Sequence, residues 1–525
     1  MSLEDINELP DSVPAKHPGH RTDHEKIHRG LKSLLEALQL KVAKNEIVYN
    51  VKDFGAKGDG TTNDTAAINA AIAAMPSIAN SWGNGASGVL YFPAGRYSTD
   101  GGHIIPNNKR MKVCGAGPYV SILSQRAGST SDLLTVNAAN SGIDSLTLAG
   151  TRSAGGGDLV VLNAGYGYVT NATLLGANAN AITVGKDGGS IVHRISNVNI
   201  REPRGYGILT VSASGSTDGQ WNNIDIGLSG LSAVRLDTGT QMLNNVHVWG
   251  SGMESDTDKH GFYMSSTSSQ IVACESECNR GYGFYIAPSG SNYQNIISTK
   301  IWGNGAGAIN AFQVDKLVIA SNSIYRNCVN NTGGSTAFAY AAIGNDGGKE
   351  WAITGNNIWD DGAAIPAGPT GYTYNYPGRT AGSAQHTSAY VEQNAADYNA
   401  LSGNVMRAER TRSGKPYIFV GVNNSEQGNV YGSTLAVPTI ASAATLTIPA
   451  GPGYIEVTGT TAITSIAASK IGRQITFVFT NASPAGMTDG AGTLRLEGNF
   501  APAQYGTITL ICGGAYWYEV SRSAA

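Results

Sequence analysis

Between about residue 47 and residue 432 the chain repeats a short segment of alternating apolar and polar positions. Ser145-Leu146-Thr147-Leu148, Asn171-Ala172-Thr173-Leu174, Asn197-Val198-Asn199-Ile200, Asn223-Ile224-Asp225-Ile226 and Asn245-Val246-His247-Val248 open the series. Cys274-Glu275-Ser276-Glu277, Thr299-Lys300-Ile301-Trp302, Asn322-Ser323-Ile324-Tyr325 and Asn356-Asn357-Ile358-Trp359 continue it less regularly. Most steps are roughly 22 to 29 residues, the range of solenoid repeats. Alternation with a period of two predicts strands with one buried face, and the Gly and Asn between them supply turns. No helical pattern of crossover length separates these strands, which argues against a doubly wound sheet. A parallel β-helix, stacking each strand about 4.8 Å above the last, satisfies the pattern.

The flanks differ in texture. Residues 1–46 are polar and hold one persuasive helix, in which Thr22 and Glu25 form a capping box and Ile27, Leu31, Leu34 and Leu38 keep a/d spacing. A stripe so narrow predicts a short oligomeric stalk, with packing on the chain's own body as the alternative. Residues 433–525 carry short strands at regular intervals, among them Tyr454–Val457, Gln474–Phe479, Thr507–Leu510 and Trp517–Val520. That spacing predicts a separate β-sandwich or small barrel. The expected fold is therefore all-β, a parallel β-helix with an N-terminal helical stalk (1–46), a solenoid (47–432) and a C-terminal β-sandwich (433–525).

Composition agrees. Of 525 residues 68 are Gly, and only 14% are charged, against about 25% in ordinary domains. Long charged rods are excluded, and 41% hydrophobic content with a net charge of −3 excludes disorder. A near-neutral chain lacks the basic face that nucleic acid demands. No run of about 18 apolar residues predicts a membrane span, and the acidic start MSLEDINELP does not resemble a secretory signal. Cys114, Cys274, Cys278, Cys328 and Cys512 are odd in number and scattered, so free thiols are expected. No metal site and no cofactor is expected.

The string Val51-Lys52-Asp53-Phe54-Gly55-Ala56-Lys57-Gly58-Asp59-Gly60-Thr61-Thr62-Asn63-Asp64-Thr65-Ala66-Ala67-Ile68 resembles the N-terminal signature of the pectate-lyase-like right-handed β-helix superfamily. Gly88-Val89-Leu90-Tyr91-Phe92-Pro93-Ala94-Gly95-Arg96-Tyr97 resembles the segment that follows it. Asn63 to Met75 reads as a capping helix over the first coil, with Ile68 and Ile72 facing one way. The C-terminal stretch, with Gly472-Arg473 and Trp517-Tyr518-Glu519-Val520, is similar to modules that end phage tail fibres. Pro18–His24 is similar to linkers in tail proteins of phages of Gram-positive bacteria. Together these resemble a bacteriophage tailspike. The resemblance implies a homotrimer in the virion, joined to tail or baseplate proteins through its N-terminal region. It further implies a bacterial surface polysaccharide as partner, cleaved by hydrolysis or β-elimination. A non-enzymatic adhesin and a cellular glycan-degrading enzyme are the alternatives.

Stacked in register, the repeats sort residues into columns. Leu148, Leu174, Ile200, Ile226 and Val248 point inward, as do Leu146, Ala172, Val198, Ile224 and Val246; Asn322 and Asn356 continue the latter as an interior ladder. Outward, one column runs Thr147, Thr173, Asn199, Asp225, His247, Glu275, Lys300, Ser323, Asn357. Its neighbour runs Ala149, Leu175, Arg201, Gly227, Trp249, Glu277, Trp302, Tyr325, Trp359. Exposed Trp and Tyr match the apolar faces of sugars, so Trp249, Trp302, Tyr325 and Trp359 are candidate glycan contacts, with His247, Lys300 and Arg201 beside them. Glu275 and Glu277, two apart on one strand with Cα atoms about 6.6 Å apart, are with Asp225 the candidate catalytic carboxylates, and an inverting pair of glutamates is compatible with that spacing. Crowding by each other or by Asp225 should raise the pKa of one of them. In an elimination, Lys300 and Arg201 are the cations available to an enolate. The bland reading of the two glutamates is a solvated face with a weak Lys300 ion pair. Glu254, Asp256 and Asp258 read as a solvated turn, Asp360 and Asp361 as rival acids, and the Pro366–Asn399 insertion, with Tyr372, Tyr374, Tyr376, Arg379, His386 and Tyr390, as a loop that binds or packs.

Overall fold

In this computed structural model the described residues are 48–78, 88–211, 215, 217–265, 268–287, 293–328, 341–360, 364–365, 382–383, 388–394, 396–408, 417–418, 420, 424–431, 438–449, 453–469 and 471–523. The expected stalk helix, with Thr22, Glu25, Ile27, Leu31, Leu34 and Leu38, lies outside them, as do Asp361, Tyr372, Tyr374, Tyr376, Arg379 and His386.

Each coil of the solenoid contributes one strand to a 12-stranded parallel sheet and a longer, bent segment to a 24-stranded sheet. Tyr168–Leu175, Arg194–Arg201, Gln220–Gly227 and Met242–Trp249 are such bent segments. The bend falls on Asn171, Asn197, Asn223 and Asn245, all left-handed with φ between 48° and 54°. Asn tolerates that conformation better than most residues because its short amide bonds locally. Here the exposed amides also bond up the stack, Asn197 to Asn171 at 3.0 Å, Asn223 to Asn197 at 2.8 Å and Asn245 to Asn223 at 3.2 Å. The recurrent Asn of the sequence is thus the hinge of each coil. It turns the second half of the segment onto its own face.

The interior follows the alternation. Leu148, Leu174, Ile200, Ile226 and Val248 are fully buried in one continuous core, which also takes in Phe262 and Phe284, stacked at 4.5 Å. Farther along, apolar positions give way to a buried amide ladder. The Asn322 side chain donates to Asn356 and Asn356 to Asn404, each at 2.9 Å, and Asn404 donates to Asn429 at 2.9 Å. Asn279, Asn304 and Asn327 make a second ladder with steps of 2.8 Å.

Helix α1 (Thr65–Ala74) joins the first coil as expected, burying Ile68, Ala71 and Ile72. Asn63 caps it by accepting from the Thr65 backbone at 3.1 Å, while Asp64 accepts instead from the backbone of Lys57 and Gly58. At the other end the Lys109 ammonium donates to the carbonyls of Ile72, Ala73 and Met75 at 2.7–2.8 Å, filling acceptors that a helix terminus leaves open.

The C-terminal residues form a six-stranded sheet and a two-stranded pair, Thr445–Leu446 with Ser465–Ile466. They enclose a core of their own around Phe477, Phe479, Leu510 and Trp517. The five cysteines are free.

Candidate active site

The second half of each bent segment carries the two outward columns, and their register matches the sequence reading at every step. Asn199 pairs with Asp225, Asp225 with His247, His247 with Glu275, Glu275 with Lys300 and Lys300 with Ser323. Arg201, Gly227, Trp249, Glu277, Trp302, Tyr325 and Trp359 follow one another in the same way. Residues more than a hundred positions apart therefore share one wall.

His247 lies at the centre of the charged stretch. Its Nε2 is 3.1 Å from Glu277 Oε1 and its Nδ1 is 3.5 Å from Asp225 Oδ1. Burial disfavours the imidazolium, but the Glu277 hydrogen bond and the charges of Asp225, Glu277 and Glu275 outweigh it, so the pKa of His247 is raised. Glu275 shifts the other way. Its burial opposes ionisation, yet Lys300 Nζ at 2.6 Å and Trp302 Nε1 at 2.9 Å both donate to Oε1 and hold its pKa below the ordinary carboxylate value. The expected crowding therefore does not make Glu275 an acid, because the coil above supplies two donors to its anion. Lys300 in turn has a raised pKa: burial works against its charge, and Glu275 more than compensates.

Asp225 is held apart from the glutamates by Arg201, whose NH2 donates to Oδ2 at 2.6 Å, and by Trp249 Nε1 at 3.0 Å to Oδ1. Trp249 corrects the reading of that column. It is 6% exposed, packed with Leu228 and Met253, and carries the Arg201 guanidinium over its ring at 5.2 Å. The cause lies in Gly227, where an added Cβ would come within 2.3 Å of the indole. The ring fills the space a side chain would occupy there. Trp249 orients Asp225 and offers no face to a sugar.

The other three aromatics of the column are half-buried and stack on one another. Trp302 and Tyr325 are parallel within 8° at 5.7 Å, and Tyr325 and Trp359 within 11° at 4.3 Å. Tyr325 thus has both faces covered, and Lys300 sits over Trp302 at 5.2 Å. The half-buried stack packs Tyr325 against one face of Trp302 and so helps hold the indole that donates to Glu275. Replacing Trp302 by Phe keeps the stack and removes the indole donor. The expected result is an about tenfold fall in kcat with KM held, from the loss of one hydrogen bond to a charged group. The acid limb of the pH profile should move upward as Glu275 loses a stabilising donor. An unmoved limb would show that Trp302 acts only through packing.

The acidic turn after Trp249 is ion-paired, with Asp256 still exposed to solvent as expected. Glu254 meets Arg152 at 3.1 Å and Arg204 at 3.8 Å, Asp256 meets Arg280 at 2.6 Å, and Asp258 meets Arg235 at 2.9 Å and the Tyr206 hydroxyl at 2.6 Å. This turn delivers Met253 onto Trp249. Arg280, 24 residues after Asp256, is one coil step away and was within reach of the repeat spacing. Arg152 was not, because Glu254 reaches down several coils. Tyr390 of the insertion is buried, its hydroxyl donating to Glu392 at 2.8 Å, so this residue packs. Asp360 ends the strand Asn357–Asp360; its side chain lies outside the described residues.

A cation could be considered at His247, Glu275 and Glu277, which bring one donor atom each within 4.8 Å of one another. Their charge is already met by protein groups, Lys300 on Glu275 and the imidazole on Glu277.

The sequence profile of the family described as rhamnogalacturonase A/epimerase, pectate lyase-like, matches residues 48–365. The chain belongs to this family. Among curated proteins it is 28% identical over 266 residues to mannuronan C5-epimerase AlgE2 of Azotobacter vinelandii, covering 46% of this chain and 23% of that protein. It is 29% identical over 246 residues to alginate lyase 7 of the same organism, covering 43% and 24%. The chain thus spans about a quarter of the length of these curated relatives. Among solved structures the Dettilon tailspike protein (gp208) aligns with a TM-score of 0.46 at 15% identity, over 89% of this chain and 76% of that one. The family match over residues 48–365 agrees with the parallel β-helix seen in the structure. Among the described residues no helix is long and apolar enough to cross a membrane.

Proposed function

We propose that this pectate-lyase-like chain is a virion tailspike that binds a bacterial surface polysaccharide and cleaves it by glycoside hydrolysis. The observation that carries the chemistry is the opposed tuning of neighbours on one wall, an ionised Glu275 beside a proton-holding His247–Glu277 pair. Groups whose environments push their pKa values apart are suited to divide acid and base work. Glu275 serves as the carboxylate that acts at the anomeric carbon, and the His247–Glu277 pair delivers the proton to the leaving oxygen. Asp225, fixed by Arg201 and Trp249, keeps His247 charged and aligned.

Hydrolysis is favoured over elimination by the charge balance. Arg201 and Lys300, the cations an enolate would call on, are each paired with a carboxylate. Three acids face three bases when His247 is protonated, a balance suited to a neutral sugar at the cleavage point. The spike reading rests on the likeness of segments 1–46 and 433–525 to tail proteins. It includes a homotrimer, attachment to the tail or baseplate through the N-terminal region, and action outside the host cell. Light scattering should give a mass of three chains of 54.5 kDa; a monomer would contradict the spike.

The decisive assay is the release of reducing ends from purified bacterial capsular polysaccharides. Ends without ultraviolet absorbance from unsaturation support hydrolysis, unsaturated ends indicate elimination, and binding without new ends indicates an adhesin. The pH profile should be bell-shaped. Activity falls on the acid side as Glu275 takes a proton, at a pH below the ordinary 4.5 of a glutamate. It falls on the alkaline side as His247 loses its proton, above the ordinary 6.5 of a histidine. A profile flat across both ranges would remove these two groups from the chemistry.

A further inference from the structure

We infer that copies of this chain join through one uncharged face of the 24-stranded sheet, the tyrosine edge of one copy seated on the small-residue edge of the next. The number of copies, three, rests on the spike reading.

The first half of each bent segment has an outer face of its own. It runs over seven coils, from the strand that begins at Met242, through Gln270–Val272, Asn295–Ile297, Val318–Ala320, Ala352–Thr354 and Ala400–Ser402, to Ser425–Gln427. In each, the middle residue of three is buried and its two neighbours point outward. None of those outward residues, two in each of the seven described strands, is charged. Val272, Ile297, Val318 and Ala320, all partly exposed, lie together at the centre. Charge is present elsewhere: Lys112, Asp144 and Arg194 on earlier coils of this face, Asp225, Glu275 and Lys300 on the active wall, Arg235 on the 12-stranded sheet. A flat neutral face with exposed aliphatic side chains is complementary to another neutral surface, and contact surfaces lack charge at their core.

The two edges of this face differ. At the bend toward the active wall, the left-handed residue of earlier coils is Asn. Here it becomes Ala273, Ser298, Ser321, Gly355 and Gly403, with φ between 52° and 64°, all exposed. Ala and Ser lack the amide that eases this conformation in Asn, so three consecutive coils hold backbone strain at positions with very small side chains. Strain retained in this way marks a functional constraint, and close approach of a second backbone is the constraint that small residues serve. On the opposite edge stand Tyr293 and Tyr398, 54% and 53% exposed. Lys316 donates to the Tyr293 hydroxyl at 3.0 Å and sits 4.8 Å from the ring centroid, which holds that ring at the corner.

A closed ring of identical chains needs two different patches that fit each other. A bulky edge and a small edge on either side of one neutral face are such a pair. Tyr293 and Ser298 flank the same strand, Asn295–Ile297, so parallel copies bring the two edges to one height.

The test uses the full chain carrying Tyr293→Cys and Ser298→Cys together, treated with a short bismaleimide and run on a denaturing gel. A link within one chain leaves its mass unchanged, so linked pairs and triples report contact between chains. Expected are covalent pairs and trimers well above the background of the native chain and of each single substitution. Adding Ile297→Asp should abolish those links, with circular dichroism showing that the strands persist; links that survive in the folded variant would remove the neutral face from the contact. A native protein with the mass of three chains whose double variant links no more than the single ones would overturn the contact and leave the spike standing. A native protein with the mass of one chain would overturn the contact and the spike reading together.

Discussion

Replacing Glu275 by Gln should lower glycan cleavage about 10³-fold or more while the solenoid stays folded, since acid–base and nucleophilic groups contribute about 10²–10⁴ or above. The substitution keeps shape and removes charge. Lys300 and Trp302 would then face a neutral amide in place of the anion both now hold through Oε1. Glu275 is half-exposed on the outer wall, so no core contact is lost and the melting temperature should barely move. Glu277→Gln should cost nearly as much, because the His247 ring loses the negative charge 3.1 Å away that favours its protonated form. Reducing-end release by the purified variants measures both effects. Unchanged turnover in Glu275→Gln would clear that residue of any catalytic part.

Replacing Asn356 by Ala should destabilise the fold more than any change at the active wall. The Asn356 carbonyl accepts from both the backbone and the side chain of Asn322 at 2.9 Å, and its amide donates to Ile319 at 2.8 Å and to Asn404 at 2.9 Å. These groups are buried where water cannot replace the lost partner. Each orphaned buried group costs about 1–3 kcal/mol, so a loss of about 3 kcal/mol or more is expected. Thermal unfolding measures it. The adjacent Asn357, exposed on the outer face, is the control, and Asn357→Ala should change stability by less than about 0.5 kcal/mol. Equal effects at the two positions would contradict the assignment of inner and outer faces.

Those two asparagines also show how the fold could be read from the chain. A strand has two sides, and a one-residue slip exchanges them, so alternation alone separates Ile358 and Asn356 inside from Asn357 and Trp359 outside. The repeat then sets which residues become neighbours, and Asp225, His247, Glu275 and Lys300 fall into line before any coordinates are known. Position within a column was legible, but the direction of a ring was not. Trp249 lies down over Gly227 because that glycine leaves room, and a turn clamped by Arg152, Arg204 and Arg280 presses Met253 onto it. Trp302, Tyr325 and Trp359 stand face to face because one coil rise is close to the spacing of stacked rings, which covers both faces of Tyr325 and one face of each neighbour. The tuning of Glu275 escaped for a related reason. Whether Glu275 is crowded or rescued depends on which oxygen Lys300 and Trp302 reach, and that is set by side-chain geometry on the next coil.

The account turns on one wall of the solenoid being where a glycan is cut. A crystal structure of Glu275→Gln soaked with an oligosaccharide from a polysaccharide that the native protein cleaves tests this most directly. The account places the scissile bond over Glu275 and Glu277, with the leaving oxygen within hydrogen-bond reach of the His247–Glu277 pair. An oligosaccharide bound on the 12-stranded sheet or the C-terminal module, with this wall empty, would contradict it.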